Sequence, residues 1–420
     1  MKVTKILHVI SVMNPKLGGV CQAVRTMSAG LAEEGIHNEV VCLDDPAEPF
    51  LSNEPLLIHA LGPAKGPWQY GAKLTPWLVD NVDRFDLVIL HGLWLHHGYA
   101  LRKALRTSRR RSTRQPAPKV YVMPHGMLDP YFQQTSGRKL KAIRNWLYWQ
   151  LIERKIVAEA DGLLFTCEEE RQLAGESFRP YRPKAEVVAG LGVEEPPVYT
   201  PAMREAFLEE CPQLRGVPYF LFLGRIHPKK GVDVLIRAYQ QARQTCLTTE
   251  AEVYPGEAMN LGSDGLETMP KLVIAGPGLD TPYGRDVQQS VHDDEDVKSA
   301  VYFPGMLGGE AKWGAFYGCE AFVLPSHQEN FGIAVAEALA CGKPVLISNQ
   351  VNIWREIEQT GGGLIAANSV EGTQQLLEQW LNLPAEAKRT MGEKALETFQ
   401  TNFAVAPITR RLLKTVGRSE

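Results

Sequence analysis

The chain has 420 residues, 44% of them hydrophobic and 22% charged, which is ordinary globular composition with room for two or three domains, two large ones fitting best. A formal net charge of −3 lacks the electrostatic footprint of a nucleic-acid binder, and no window of about 18 apolar residues offers a spanning helix. Seven scattered cysteines, odd in number and without a C-x2-C pair, point to reduced thiols in a cytoplasm and away from a disulfide frame or zinc site.

The N-terminus, Met1 to Ile10, has neither the apolar core nor the cleavage site of a signal peptide and reads as a first strand, Ile6 to Ile10. A loop ending in Gly18-Gly19 follows, then a helix from Val20 to Glu34, then a strand from Asn38 to Leu43. Glycines in such a turn let backbone approach a ligand, but the pattern is not G-x-G-x-x-G, which disfavours a dinucleotide fold. Asp86-Leu-Val-Ile-Leu90 and Val120-Tyr-Val-Met123 are buried strands, and a histidine stands just past each, His91 and His125. Those are positions where ligands gather in parallel sheets. His91, His96 and His97 fit no standard metal spacing.

Between Leu101 and Val120 stand Arg102, Lys103, Arg106, Arg109, Arg110, Arg111, Arg114 and Lys119, with no acid from Asp86 to Asp129. Arg138, Lys139, Lys141 and Arg144 then precede Trp146, Tyr148 and Trp149. Basic residues beside an aromatic-rich helix suit an anionic membrane surface; the alternative is a solvated linker, Arg109 to Pro118, before a core helix.

Prolines at Glu194-Glu-Pro-Pro197 mark a boundary. Tyr219 to Leu223 is a strand, followed by Gly224-Arg225 and Lys229-Lys230-Gly231 and a helix from Val232 to about Thr245. Two cations at a helix mouth are anion-binding chemistry, Arg as a fork and Lys as a point charge. Cys246 to Pro270 has Pro, Gly, Ser and acids without periodicity and reads as an exposed insertion. Lys271 to Ala275 resumes the sheet and Gly276-Pro-Gly278 ends it. Asp293-Asp-Glu-Asp296 contains a literal D-x-D but reads as a solvated acidic turn.

The stretch Ser326 to Ser348 holds the strongest pattern. It follows the strand Ala321 to Leu324, and a helix from Ile333 to Cys341 ends at Gly342-Lys-Pro344. Glu329 sits at the helix mouth, and Glu337 lies among Ala-Val-Ala and Ala-Leu-Ala, where a carboxylate is costly unless hydrogen-bonded. Eight helical residues span roughly 12 Å, a separation that suits a sugar at one end and a ribose at the other, with phosphates between them meeting cations.

Glu329-Asn-Phe-Gly-x4-Glu337, with Ala-Leu-Ala-Cys-Gly-Lys-Pro-Val behind it, resembles the E-x7-E signature of retaining glycosyltransferases of family 4. The resemblance implies the GT-B fold: two Rossmann-like doubly wound α/β domains facing a cleft, here about 1–195 and 196–392, with a C-terminal helical return, 393–420, towards the first domain. It implies a sugar moved from a nucleoside-diphosphate sugar to a glycan or lipid-linked acceptor in bacterial polysaccharide or glycoconjugate synthesis. No metal or other cofactor is expected, and the location is cytoplasmic, peripheral on the inner face of the membrane. Arg225 and Lys230 then bind the donor diphosphate, Glu329 the sugar and Glu337 the ribose. His125, in Pro-His-Gly, reaches the sugar or the transferring centre. Gly18, Gly19, Gly224, Gly276, Asn330, Phe331 and Gly332 complete the donor site, and His91 and Trp94 fall on the acceptor side. The alternatives are a nucleotide-sugar epimerase of the same fold and a non-catalytic nucleotide-sugar-binding subunit, against which the intact pairs Glu329/Glu337 and Arg225/Lys230 argue.

Overall fold

The computed structural model describes residues 3–111, 117–134, 139–253 and 269–417. The chain divides into two units, Met1–Glu194 joined by Phe403–Glu420, and Glu195–Asn402.

In the first unit the strands are β1 (Lys5–Val9), β2 (His37–Cys42), β3 (Leu57–Ala60), β4 (Leu87–His91), β5 (Lys119–Met123), β6 (Gly162–Phe165) and β7 (Glu186–Val188). They form a parallel sheet of order β3-β2-β1-β4-β5-β6-β7. Runs such as Leu87-Val-Ile-Leu90 are continuous in β-branched and aliphatic residues because both faces are covered. Leu7, Val9, Val88, Leu90 and Val122 pack one face against helices carrying Leu78, Leu101, Ala104 and Ile156. Ile6, Leu87, Ile89, Tyr121 and Met123 pack the other against Met27 and Leu31 of the helix Gly19–Glu33 and Leu412 and Val416 of the helix Val405–Gly417. Gly30 is where those two helices meet. A Cβ there would lie 2.4 Å from Thr409 Oγ1 and 2.5 Å from Val405 Cγ1, so only hydrogen fits.

The second unit holds β8 (Tyr219–Leu223), β9 (Lys271–Ala275), β10 (Val301–Gly305), β11 (Ala321–Leu324), β12 (Val345–Ser348) and β13 (Gly363–Ala366). They form a parallel sheet of order β10-β9-β8-β11-β12-β13. In each sheet the order reverses once, between β1 and β4 and between β8 and β11. Loops that leave the carboxyl ends of strands at such a reversal are where ligands gather in doubly wound sheets.

Two expectations about extent change. The helix Val232–Val253 runs beyond Thr245, because Cys246 to Val253 holds neither Gly nor Pro and the first breaker is Pro255. Of the expected insertion, residues 254–268 lie outside the described residues. The return to the first unit begins at Phe403 and not at residue 393. The helix Ala385–Asn402 stays with the second unit: Ala395, Thr398 and Phe399 are buried, and Thr398 Oγ1 is 2.5 Å from Thr360 Oγ1. The acidic turn is built of caps, since Asp294 accepts from the Asp296 amide at 3.0 Å and from Gln240 Nε2 at 2.9 Å.

Candidate active site

In the second unit the loops after β8 and β11 lean on each other through backbone. Gly231 is left-handed, with φ of 67°, and a Cβ on it would lie 2.3 Å from the Pro325 carbonyl oxygen. The Lys229 carbonyl accepts from the His327 amide at 2.9 Å and from Ser326 Oγ at 3.0 Å. Ser348 Oγ, at the end of β12, donates to the Ser326 carbonyl at 2.6 Å. Glu329 is pinned on both sides: its amide donates to the Gln350 carbonyl at 2.8 Å, and its carbonyl accepts from the Asn352 amide at 2.9 Å. The side chain is thereby carried on fixed backbone.

Its carboxylate meets the Lys230 ammonium in a charge-assisted hydrogen bond. Both side chains are mostly shielded, at 18% exposure each. The helix Ile333–Ala340 follows, capped by Gly332 in the left-handed region, and on it Glu337 accepts from Lys312 Nζ at 2.7 Å. Lys312 lies on the helix Gly309–Gly318. Arg225 is exposed, its flanks fixed by Gly224 N–H to the Ala275 carbonyl at 3.0 Å and Ile226 N–H to the Pro277 carbonyl at 2.8 Å. Gly276 crosses so close to Gly224 that a Cβ would lie 1.9 Å from the Gly224 carbonyl oxygen.

In the first unit, Gly18 (φ 93°) and Gly19 open the helix Gly19–Glu33 and are exposed. His125 stands in the turn after β5 with φ of 53°, a conformation uncommon for a non-glycine residue. Glu170 holds that turn. Its Oε1 accepts from the Gly126 amide at 2.5 Å, and its Oε2 accepts from the Thr166 amide and hydroxyl, both at 2.7 Å. Burial lowers the His125 pKa to about 4, so the ring is neutral at pH 7.

A glycosyl transferases group 1 model matches residues 209–398, and a glycosyl transferase 4-like domain model matches residues 18–190. The chain belongs to glycosyltransferase family 4 and has the GT-B fold. It is 23% identical over 413 residues to an O-antigen chain mannosyltransferase C of Escherichia coli, covering 95% of this chain and 94% of that one. It is 27% identical over 216 residues to a D-inositol 3-phosphate glycosyltransferase of Stackebrandtia nassauensis, covering 51% of this chain but 44% of that relative's length. Among solved structures, Anabaena HepE in complex with UDP and glucose superposes with a TM-score of 0.69 at 14% identity, covering 99% of this chain and 100% of HepE.

Of the expected donor residues of the second unit, Gly224, Arg225, Lys230, Gly276, Glu329, Asn330 and Gly332 lie on loops at the carboxyl edge of the sheet, where Lys230 meets Glu329 and Gly276 meets Gly224, and Glu337 lies on the helix that follows. Phe331 is buried at 4% exposure and belongs to the packing beneath that edge. One expectation for the first unit is corrected. His91 is 1% exposed, and both ring nitrogens are engaged by other histidines at 3.0 Å, so it is not presented to an acceptor. Trp94 packs its ring on Phe178, at 5.0 Å between centroids, and on Trp149, at 6.4 Å. Its amide donates to Glu153 Oε1 at 2.7 Å, and burial raises the Glu153 pKa to about 8.

Lys312, Glu170, His8 and Glu153 escaped the sequence reading. His8 alone left a signal, a polar residue at an inward position of the first strand. Glu170→Ala should cost about 2–4 kcal/mol, because two amides and a hydroxyl lose their acceptor inside the protein. Urea titration of both variants measures it, and Glu170→Gln, which keeps one acceptor oxygen, should fall between the variant and the natural chain.

Proposed function

We propose that this chain is a retaining, metal-independent glycosyltransferase that moves a sugar from a nucleoside-diphosphate sugar to a glycan or lipid-linked acceptor of bacterial polysaccharide or glycoconjugate synthesis. The observation that carries the reading is the Lys230–Glu329 pair, held on fixed backbone at the switch point of the second sheet. The likeness to the mannosyltransferase and to the UDP-bound HepE supports the class of reaction and of donor.

Breaking a glycosyl–phosphate bond leaves charge on the diphosphate and a deficit at the anomeric carbon. Lys230 and Arg225 supply cations for the first, and the helix mouth at Gly332 adds amide dipoles. On donor arrival, Lys230 exchanges its carboxylate partner for a phosphate oxygen. Glu329 is then released to accept from sugar hydroxyls and to oppose the growing positive charge. Glu337, held by Lys312, accepts from the ribose hydroxyls. Acceptor oxygen bonds to the anomeric carbon on the face from which the phosphate departs, and the acceptor proton passes to a phosphate oxygen.

The acceptor brings a membrane into the proposal. On and just beyond the helix Lys139–Tyr148, Ile143, Trp146, Leu147 and Leu151 are 58%, 53%, 48% and 65% exposed. Apolar side chains among the cations from Arg102 to Arg144 suit a peripheral contact with anionic lipid. Among the described residues no helix is long and apolar enough to cross a membrane.

Glu329→Gln should lower kcat about 10- to 150-fold with little change in donor affinity, because a charge-assisted contact that strengthens as charge develops is lost. Glu337→Gln should raise KM more than it lowers kcat, because ribose does not change during transfer. Steady-state kinetics and donor titration of both variants test the assignment, and near-normal turnover of Glu329→Gln overturns it. Turnover should also persist in excess EDTA; strict dependence on added magnesium or manganese rules the metal-independent mechanism out. Sedimentation with liposomes should recover the chain on anionic vesicles, less as salt rises, and equal recovery on neutral vesicles removes the membrane contact.

A further inference from the structure

One line of polar side chains crosses the covered face of the first sheet. Asn38 on β2 is level with Ile6 of β1. His8 is two residues further along β1 and level with Ile89 of β4. His91 is two residues beyond Ile89 and level with Met123 of β5. His125 is two residues beyond Met123. Each step moves one strand over and two residues towards the carboxyl edge, so all four side chains emerge on one face of the pleat. That face is otherwise apolar, formed by Ile6, Ile89 and Met123 with Met27 and Leu31 above them. Polar groups there are costly unless each is hydrogen-bonded.

They are bonded end to end. Asn38 Oδ1 lies 3.2 Å from His8 Nε2, His8 Nδ1 lies 3.0 Å from His91 Nε2, and His91 Nδ1 lies 3.0 Å from His125 Nε2. The direction of the chain follows from its buried end. Asn38 Nδ2 donates to the Ile36 carbonyl at 2.9 Å and to the Ser28 carbonyl at 3.3 Å, so the oxygen of the amide faces His8. An amide oxygen only accepts. His8 therefore carries its proton on Nε2 and accepts on Nδ1; His91 must donate from Nε2 and accept on Nδ1; His125 must donate from Nε2. Burial holds His8 at about 4 and His91 well below the ordinary histidine value, so no ring carries a second proton at pH 7 to break the sequence. His8 and His91 are 0% and 1% exposed, while His125 is only partly buried at the end of the line.

We infer that Asn38, His8 and His91 are positioning residues that lock His125 in its Nε2–H tautomer, presenting Nδ1 as a hydrogen-bond acceptor to a hydroxyl group. That the hydroxyl belongs to a sugar rests on the proposed function; the tautomer does not. The lock is long-range: it converts the orientation of an amide on β2 into the polarity of a ring three strands away.

The tautomers are read by long-range 1H–15N correlation on the full chain labelled at histidine nitrogens, at pH 7, with signals assigned by single His→Gln variants. His8, His91 and His125 should all be neutral and protonated on Nε2. His125 protonated on Nδ1, or charged, overturns the inference. In His8→Phe, which keeps a buried ring of similar size, His91 loses the acceptor for its Nε2 proton. An Nδ1–H population should then appear at His125 while the thermal melt stays cooperative; a His125 that remains wholly Nε2–H overturns the relay. Asn38→Leu should give the same change from the other side of His8 and decides the question if His8→Phe fails to fold. Nucleoside diphosphate release is followed from UDP-glucose and from GDP-mannose. For whichever donor the natural chain turns over, His8→Phe should be slower by about tenfold, the loss of one hydrogen bond made in a shielded site. If the natural chain turns over neither, the tautomer measurement alone decides the relay.

Discussion

Everything chemically notable in this molecule depends on parallel pairing. A parallel sheet places the carboxyl ends of its strands along one edge, and the reversal of strand order parts the loops there. In the second unit the loops after β8, β9 and β11 nevertheless touch through backbone, where side chains would keep them apart. Gly231 against Pro325 and Gly276 against Gly224 are approaches that no Cβ allows. These contacts fix the backbone of Lys229, Lys230 and Glu329 before any side-chain interaction is made. The ion pair between Lys230 and Glu329 is a product of that geometry and not its cause.

The two carboxylates and their lysines show what such geometry does with charge. Glu329 and Glu337 are too shielded to rely on water alone, and each has an ammonium partner. Removing one member of a shielded pair costs more than the pair contributes, because the other charge is left uncompensated. On the proposed reading, a site balanced in this way takes an anion by exchange of partners. That places the selectivity in the proposed reaction with the fixed backbone, which sets where the lysine can reach, more than with the count of cations.

The strands β1, β2, β4, β5, β8, β9 and β11, the division near Glu194 and the place of Glu329 at a helix mouth were legible because each has a local signature: apolar runs, proline clusters, and a glycine at a left-handed cap. Lys312 had none, being a lysine in an ordinary helix whose meaning comes from Glu337, 25 residues away. Glu170 stands among three acids that open a helix, and its role lies with the Gly126 amide, 44 residues away. His91 was placed correctly at a strand end but given the wrong neighbours, since only strand register reveals that His8 and His125 close around it. The C-terminal boundary moved for the same reason: periodicity marks a helix but not the partner it buries against, and Phe399 faces the second unit's core.

The two units handle polarity in opposite ways. The crevice edge of the second is charged, with cations and carboxylates paired and able to re-pair. The face of the first that leads to His125 is neutral, with imidazoles deprived of charge by burial and held by one another. A neutral ring carries no charge with which to attract an anion. It can still distinguish a hydroxyl, which donates, from a phosphate oxygen, which only accepts. On the proposed reading, anion recognition is therefore assigned to one unit and hydroxyl recognition to the other. A protonated His125 would blur that division, which is a physical reason for burying the histidine line where no second proton is stable.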